Sequence, residues 1–432
     1  MATQAEPILT GPEAEAIIDP ANYVDWDGLL DRFDRLRSET PVVRVVNDEI
    51  HDPFWLVTSY DDVMRISKDN RLFLNSPRSV TFSDKNSGAF VKSITGGDPN
   101  LVRSLVALDA PTHPKYRRLT QDWFMPKNIR QMEDEIKALA RVTVDRLVDA
   151  GGEADFVPLV SAPYPLHVVM QILGVPEADE QRMLFLTQQM FGGQDEDLNK
   201  SGMANMTPEQ IMQLVVGAVA DFEAYFAKLT QEKRANPTDD VASVIANAKV
   251  DGAFLSDRDM AGYYIILAAA GHDTTSASTA GAMMALARDP EQFARLKADR
   301  DLLPGIVEEA IRWTTPVQHF MRTAAEDTEL GGQRIAKDDW LMISYIAANH
   351  DPDVFPNPRK FDASRSPNRH IAFGAGAHQC LGLHMARMEM KILFNELLDR
   401  IETLELAGEP VRAKSTFVGG LKTLPIRYRL SK

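Results

Sequence analysis

The chain has 432 residues, 44% of them hydrophobic and 25% charged, with a formal net charge of −15. That is enough apolar material for a large core, and so acidic a balance argues against nucleic acid as a partner. A single cysteine, Cys380, excludes an internal disulfide, a Cys-x-x-Cys redox pair and any multi-cysteine metal site.

The first 20 residues are acidic and proline-containing, unlike a signal peptide, and read as a loosely ordered tail. The rest, residues 21–432, reads as one unit, because no linker, repeat or low-complexity tract interrupts it. Apolar spacing predicts a helix over Asp27 to Glu39, and β-rich composition predicts strands at Pro41 to Val46 and Phe54 to Thr58. Ser59 and Asp62 form a capping box for a helix through Val63 and Ile66. Asn75 to Asp109 is irregular and glycine-containing, and so long a stretch points to a binding loop. From Thr112 to about Ala310 helical patterns dominate, and strand-like pieces return at Leu330 to Ile346 and near the C-terminus. The fold class is therefore mainly α with a minor β-sheet region. Ser256 to Arg288 reads as one long helix of roughly 45 Å at 1.5 Å per residue, central because its sequence is apolar. Its most apolar run, Ala261 to Gly271, is too short to span a membrane. A cytoplasmic protein with no membrane partner is expected, and nothing points beyond a monomer.

Phe373 to Gly382 reads Phe-Gly-Ala-Gly-Ala-His-Gln-Cys-Leu-Gly. Its glycines permit a tight turn, its backbone N–H groups can face the Cys380 sulfur, and the helix that follows presents its N-terminal dipole to the same atom. This loop resembles the heme-binding signature of the cytochrome P450 monooxygenases, and the resemblance extends over nearly the whole chain. It implies the cytochrome P450 fold, heme b (iron protoporphyrin IX) as cofactor, Cys380 as the axial thiolate on the iron, and Phe373, Gly374 and Gly271 as further heme-binding residues. A thiolate ligand favours O–O cleavage.

Other motifs test the same resemblance. Ala-Gly-His-Asp-Thr-Thr, Ala270 to Thr275, stands in the middle of the long helix. Gly271 and the threonines can open a bend there, and the resemblance makes Asp273 and Thr274 the acid–alcohol pair that relays protons to O2. His272 falls at a position that varies in the family and is left as structural. Glu309 and Arg312, three apart, match a structural ion pair. His113, Arg117, Arg322 and His378 match the cationic clamp on the heme propionates.

Two basic islands interrupt the acidic surface, each with six basic against two acidic residues: Leu101 to Arg130 and Arg359 to Lys391. The resemblance implies an iron–sulfur ferredoxin, served by an NAD(P)H-dependent reductase, docking on such a surface. No reductase is expected within the chain, which carries no flavin or nucleotide fingerprint.

The family's substrate-facing segments correspond to Asn75 to Leu108, Glu177 to Lys228, Leu267 to Ala270, Pro316 to Phe320 and Phe417 to Leu421. Phe90, Met190, Phe191, Ala269, Val317, Phe320, Phe417 and Val418 would line a hydrophobic site. Asn368-Arg369-His370, Pro316 to Ala324, Tyr164 to Met170 and Phe417 to Gly420 resemble the terpineol-hydroxylating branch. That implies hydroxylation of a monoterpenoid or a small cyclic or aromatic hydrocarbon. A peroxide-driven peroxygenase and a non-catalytic heme or gas sensor are the alternatives. Asp273-Thr274 argues against the first, since such relatives generally lack the pair, and the absence of a signalling motif argues against the second.

Overall fold

The computed structural model describes residues 6–47, 49–191, 193–198 and 207–431. Helices dominate, as expected, and the described residues also form a six-stranded sheet, a three-stranded sheet and three two-stranded ribbons. The larger sheet has six strands, in the order Ile8–Leu9, Val42–Val45, Phe54–Val57, Trp340–Ser344, His319–Ala324, Phe73–Leu74. It is mixed: Phe54–Val57 runs parallel to Trp340–Ser344 and antiparallel to Val42–Val45, whereas His319–Ala324 runs antiparallel to both its neighbours. Ile401–Leu406, Pro425–Leu430 and Glu153–Asp155 form a second, antiparallel sheet.

The N-terminal helix expected after residue 26 runs over Trp26–Glu39, with the Asp25 side chain accepting from Gly28 N. Ser59 caps Tyr60–Lys68 as its spacing predicts, accepting from Asp62 N. The loose tail does not fit the described residues. Ile8–Leu9 pairs in parallel with the sheet, and the helix Gly11–Ile18 buries Ala14, Ile17 and Ile18 against it. Its apolar residues recur at helical spacing, so burial outweighs the ordering cost that the acidic composition suggested. No described helix is long and apolar enough to cross a membrane.

The long central helix is two helices, Asp257–Ala270 and Asp273–Arg288, interrupted at Gly271 and His272. Both lie in the middle of the main core. Small residues make that possible: a Cβ on Gly281 would stand 2.2 Å from Thr314 Oγ1, and one on Gly262 would stand 2.3 Å from Arg103 O. Leucines there would hold the neighbouring elements apart.

Candidate active site

The thiolate loop is fixed from both sides. Cys380 N donates to Phe373 O at 2.8 Å, closing the turn, and Gly374 N donates to Ile371 O at 2.8 Å. Gly374 and Gly376 have φ of 66° and 73°, in the left-handed region that favours glycine. A Cβ on Gly376 would lie 2.5 Å from Ser67 O, so the loop sits directly on the end of the Tyr60–Lys68 helix. The helix Leu383–Arg400 begins three residues after Cys380.

The Cys380 sulfur opens onto an internal cavity, yet it lies deep among protein atoms. That burial pushes its pKa up. The N–H groups of Gly382 and Leu383 and the charges of Arg117 and Arg387 pull it down without offsetting the burial. The donors expected from the sequence are present, but they do not offset the burial alone; a metal cation bound at the sulfur would supply the missing positive charge.

Across the cavity stands the helix interruption. Gly271, Asp273, Thr274 and Ala269 all line the space that Cys380 enters. Gly271 has room for no side chain, since a Cβ would meet Val169 Cγ2 at 2.8 Å. The Thr274 hydroxyl donates to Ala270 O at 2.8 Å, taking a carbonyl that the broken helix leaves over. Asp273 Oδ1 lies 3.0 Å from His272 Nε2.

The third wall carries cations. The His113 and His378 rings lie against each other, tilted by 35°, with centroids 4.0 Å apart. Burial, then the positive charge of Arg117, lowers the His113 pKa to about 4; burial and the neighbouring His113, Arg322 and Arg117 lower that of His378 to about 2. Both rings are therefore neutral at pH 7, and each has a buried Nε2 with no partner among the described residues. Arg322 is only 5% exposed and makes one hydrogen bond, from Nη1 to the Met321 carbonyl. The nearest acid, Asp109, is engaged by Asn75 N and Ser76 N. Two guanidinium groups and two imidazoles thus face the cavity with no carboxylate to answer them.

Behind the loop, Glu309 and Arg312 form the expected pair, both fully buried, at 2.7 and 2.8 Å. The sequence reading missed two more partners: Arg365 and Asn368 also donate to the Glu309 carboxylate, at 3.0 Å each. Glu389 was missed as well. It lines the cavity, accepts from Thr275 Oγ1 at 3.2 Å, and has a second oxygen without a partner among the described residues; burial raises its pKa well above the usual carboxylate value. Its signal was an acid four residues after Met385 and four before Leu393, on the apolar face of the helix.

Val317, Phe320, Phe417 and Val418 line the cavity, and Val317 bridges to Val418 across two chain segments. Phe90 does not. It sits on a helix, Lys85–Ile94, inside the stretch expected to be irregular, and is 38% exposed. Asn75, Leu105 and Val106 are what that stretch contributes. No described residue of Glu177 to Lys228 lines the cavity either. Met190 packs on the main core, and Phe226 stacks on Tyr264 at 4.7 Å, so the apolar faces there are spent on neighbouring helices. The Phe191 side chain and residues 192 and 199–206 lie outside the described residues.

The cytochrome P450 family model matches residues 46–430. The chain belongs to the cytochrome P450 family. It is 45% identical to cytochrome P450-terp of a Pseudomonas species over 415 residues, 96% of this chain and 97% of that one. It is 31% identical to linalool 8-monooxygenase of Pseudomonas putida, covering 92% of this chain and 94% of that one. Among solved structures, CYP108D1 from Novosphingobium aromaticivorans superposes with a TM-score of 0.92 at 63% identity, over 98% and 100% of the two chains. Heme is the family's cofactor, and this P450 fits it. Arg117, Arg322, His113 and His378, with no carboxylate partner among the described residues, would suit two propionates, and the buried Cys380 sulfur would suit an iron.

Proposed function

We propose that this P450 monooxygenase hydroxylates a small hydrophobic molecule, a monoterpenoid or a cyclic or aromatic hydrocarbon, with electrons from an iron–sulfur ferredoxin and its NAD(P)H-dependent reductase. The observation that carries the reading is the cavity between Cys380 and the Gly271 interruption, walled by Leu105, Val106, Val169, Leu267, Val317 and Val418. Such a lining binds a ligand by burying apolar surface and offers little to a charged or extended one. The two terpenoid-related relatives agree in direction.

Heme, when bound, supplies the redox chemistry that activates O2. The chain's residues do the rest. Cys380 holds the iron, while Arg117, Arg322, His113 and His378 hold the propionates. Asp273 and Thr274 stand on the opposite wall, where a carboxylate and a hydroxyl pass protons inward. Glu309 and Arg312 keep the segment behind the thiolate loop in place.

The basic islands narrow in the structure. Arg103 pairs with Asp259, Lys115 with Asp251, Arg359 with Asp31 and Asp34, Arg365 with Glu309, and Arg387 with Glu308. Arg118, Lys127, Arg130, Lys360, Arg369 and Lys391 have no ion-pair partner among the described residues. Of these, Arg130 and Lys391 share a groove with His384 and Arg387 of the helix that follows Cys380. That groove is where an acidic ferredoxin is expected to dock.

The test is a binding screen by visible spectroscopy on the heme-loaded protein, with α-terpineol, linalool, alkylbenzenes, fused aromatics, a steroid and a fatty acid. Compounds of the first four kinds should shift the iron from low to high spin and yield hydroxylated product with NADH, ferredoxin and reductase. A shift given only by the steroid or the fatty acid would overturn the substrate reading.

A further inference from the structure

His272 is set aside as structural when the sequence is read alone. In the structure it is 1% exposed and lies directly behind the wall that carries Asp273, which is 39% exposed on its side chain. Residues one position apart on a helix do not face each other. These two meet, Nε2 to Oδ1 at 3.0 Å, because the helix is interrupted: His272 is the cap residue of Asp273–Arg288, with φ −102° and ψ −54°. A carboxylate can only accept, so Nε2 is the donor in this contact.

Nδ1 is buried without a partner among the described residues. An unpaired buried polar atom is destabilising, a cost that an apolar side chain at this position would avoid. Among the described residues the ring's one polar contact is with Asp273, and Asp273 has no other ion-pair partner there. A residue serving the fold alone would be better replaced by leucine. What leucine cannot do is hold the carboxylate.

We propose that His272 is the positioning residue of the proton relay, its Nε2–H fixing the Asp273 carboxylate on the cavity wall beside Thr274. The proposal rests on the reading of Asp273 and Thr274 as that relay. Released from His272, the carboxylate turns freely, and proton transfer loses the alignment on which its rate depends.

The experiment compares His272→Leu, His272→Gln and Thr274→Ala in the heme-loaded enzyme. The substrate is the panel compound with the largest spin-state shift, and a surrogate ferredoxin and reductase supply electrons. His272→Leu should keep the red-shifted carbon monoxide band and melt at or above the wild-type temperature. Its product formed per NADH should fall at least about tenfold, and its crystal structure should show the Asp273 carboxylate displaced. His272→Gln, which keeps an N–H donor, should restore most of the coupling. If His272→Leu loses heme, His272→Asn carries the same expectation, being polar but too short to hold Asp273. Wild-type coupling in His272→Leu with Asp273 in place, while Thr274→Ala uncouples, would overturn this proposal alone. Wild-type coupling in Thr274→Ala would instead remove the relay reading beneath it.

Discussion

Charged groups on the two sides of the thiolate loop are treated in opposite ways. Behind it, the Glu309 carboxylate receives Arg312, Arg365, Asn368 and the Asp362 N–H, while Arg312 spends its remaining donors on the carbonyls of Asn349 and Pro358. In front of it, Arg117 and Arg322 face a cavity alongside two histidine nitrogens that have no partner among the described residues. A satisfied buried network is part of the scaffold; a set of buried cations left unanswered marks where an anion belongs. The same residue type, arginine, is structural on one side and ligand-directed on the other, and only its partners tell which.

The comparison breaks hardest at Glu309. Glu309→Gln keeps the shape but removes the charge that two guanidinium groups share, leaving Arg312 buried without a counter-ion. The expected loss is about 3–5 kcal/mol in urea unfolding. A loss below about 1 kcal/mol would show that the backbone carbonyls alone hold Arg312.

Arg322→Leu sharpens the contrast from the other side. It removes a cation whose burial is uncompensated by any carboxylate, so the fold should lose little. Heme should suffer instead: one charge-assisted bond to a propionate contributes about 1.5–3 kcal/mol, or roughly ten- to a hundredfold in affinity. Transfer of heme to excess apomyoglobin should accelerate accordingly. An unchanged transfer rate would remove Arg322 from the clamp.

The sequence carried this contrast only in part. The thiolate loop was legible because its constraints are local: glycines at positive φ, a cysteine, and a helix start within ten residues. Glu309 and Arg312, one helical turn apart, were legible only through the family resemblance, since any surface helix can carry that spacing. Arg365 and Asn368 were not, since they reach Glu309 from more than 50 residues away. Counting charges placed Arg365 on a docking surface, whereas the fold turns it inward. The helix interruption was visible as Gly271 with neighbouring threonines, yet the continuous apolar pattern around it favoured one long helix. Phe90 shows the converse failure. Position within a segment says nothing about which face of a local helix reaches the cavity.

Glu389 is handled in a third way, neither answered by a cation nor left for a ligand. Buried, with one hydroxyl donor from Thr275 and an unpartnered second oxygen, it avoids its charge by keeping its proton. The consequence for stability has a definite sign. Below pH 4.5 the group is protonated in the folded and unfolded chains alike and contributes no slope. Above that, the unfolded chain releases the proton while the folded chain holds it, so stability falls with rising pH, by at most about 1.4 kcal/mol per unit, until the raised folded pKa is reached. Glu389→Gln retains an acceptor for Thr275 and has no proton to lose. The variant and the wild type should therefore be alike in urea unfolding near pH 4.5, with the variant the more stable by pH 8. Parallel pH profiles would mean that Glu389 ionises in the folded protein, and that a partner for its second oxygen is in place.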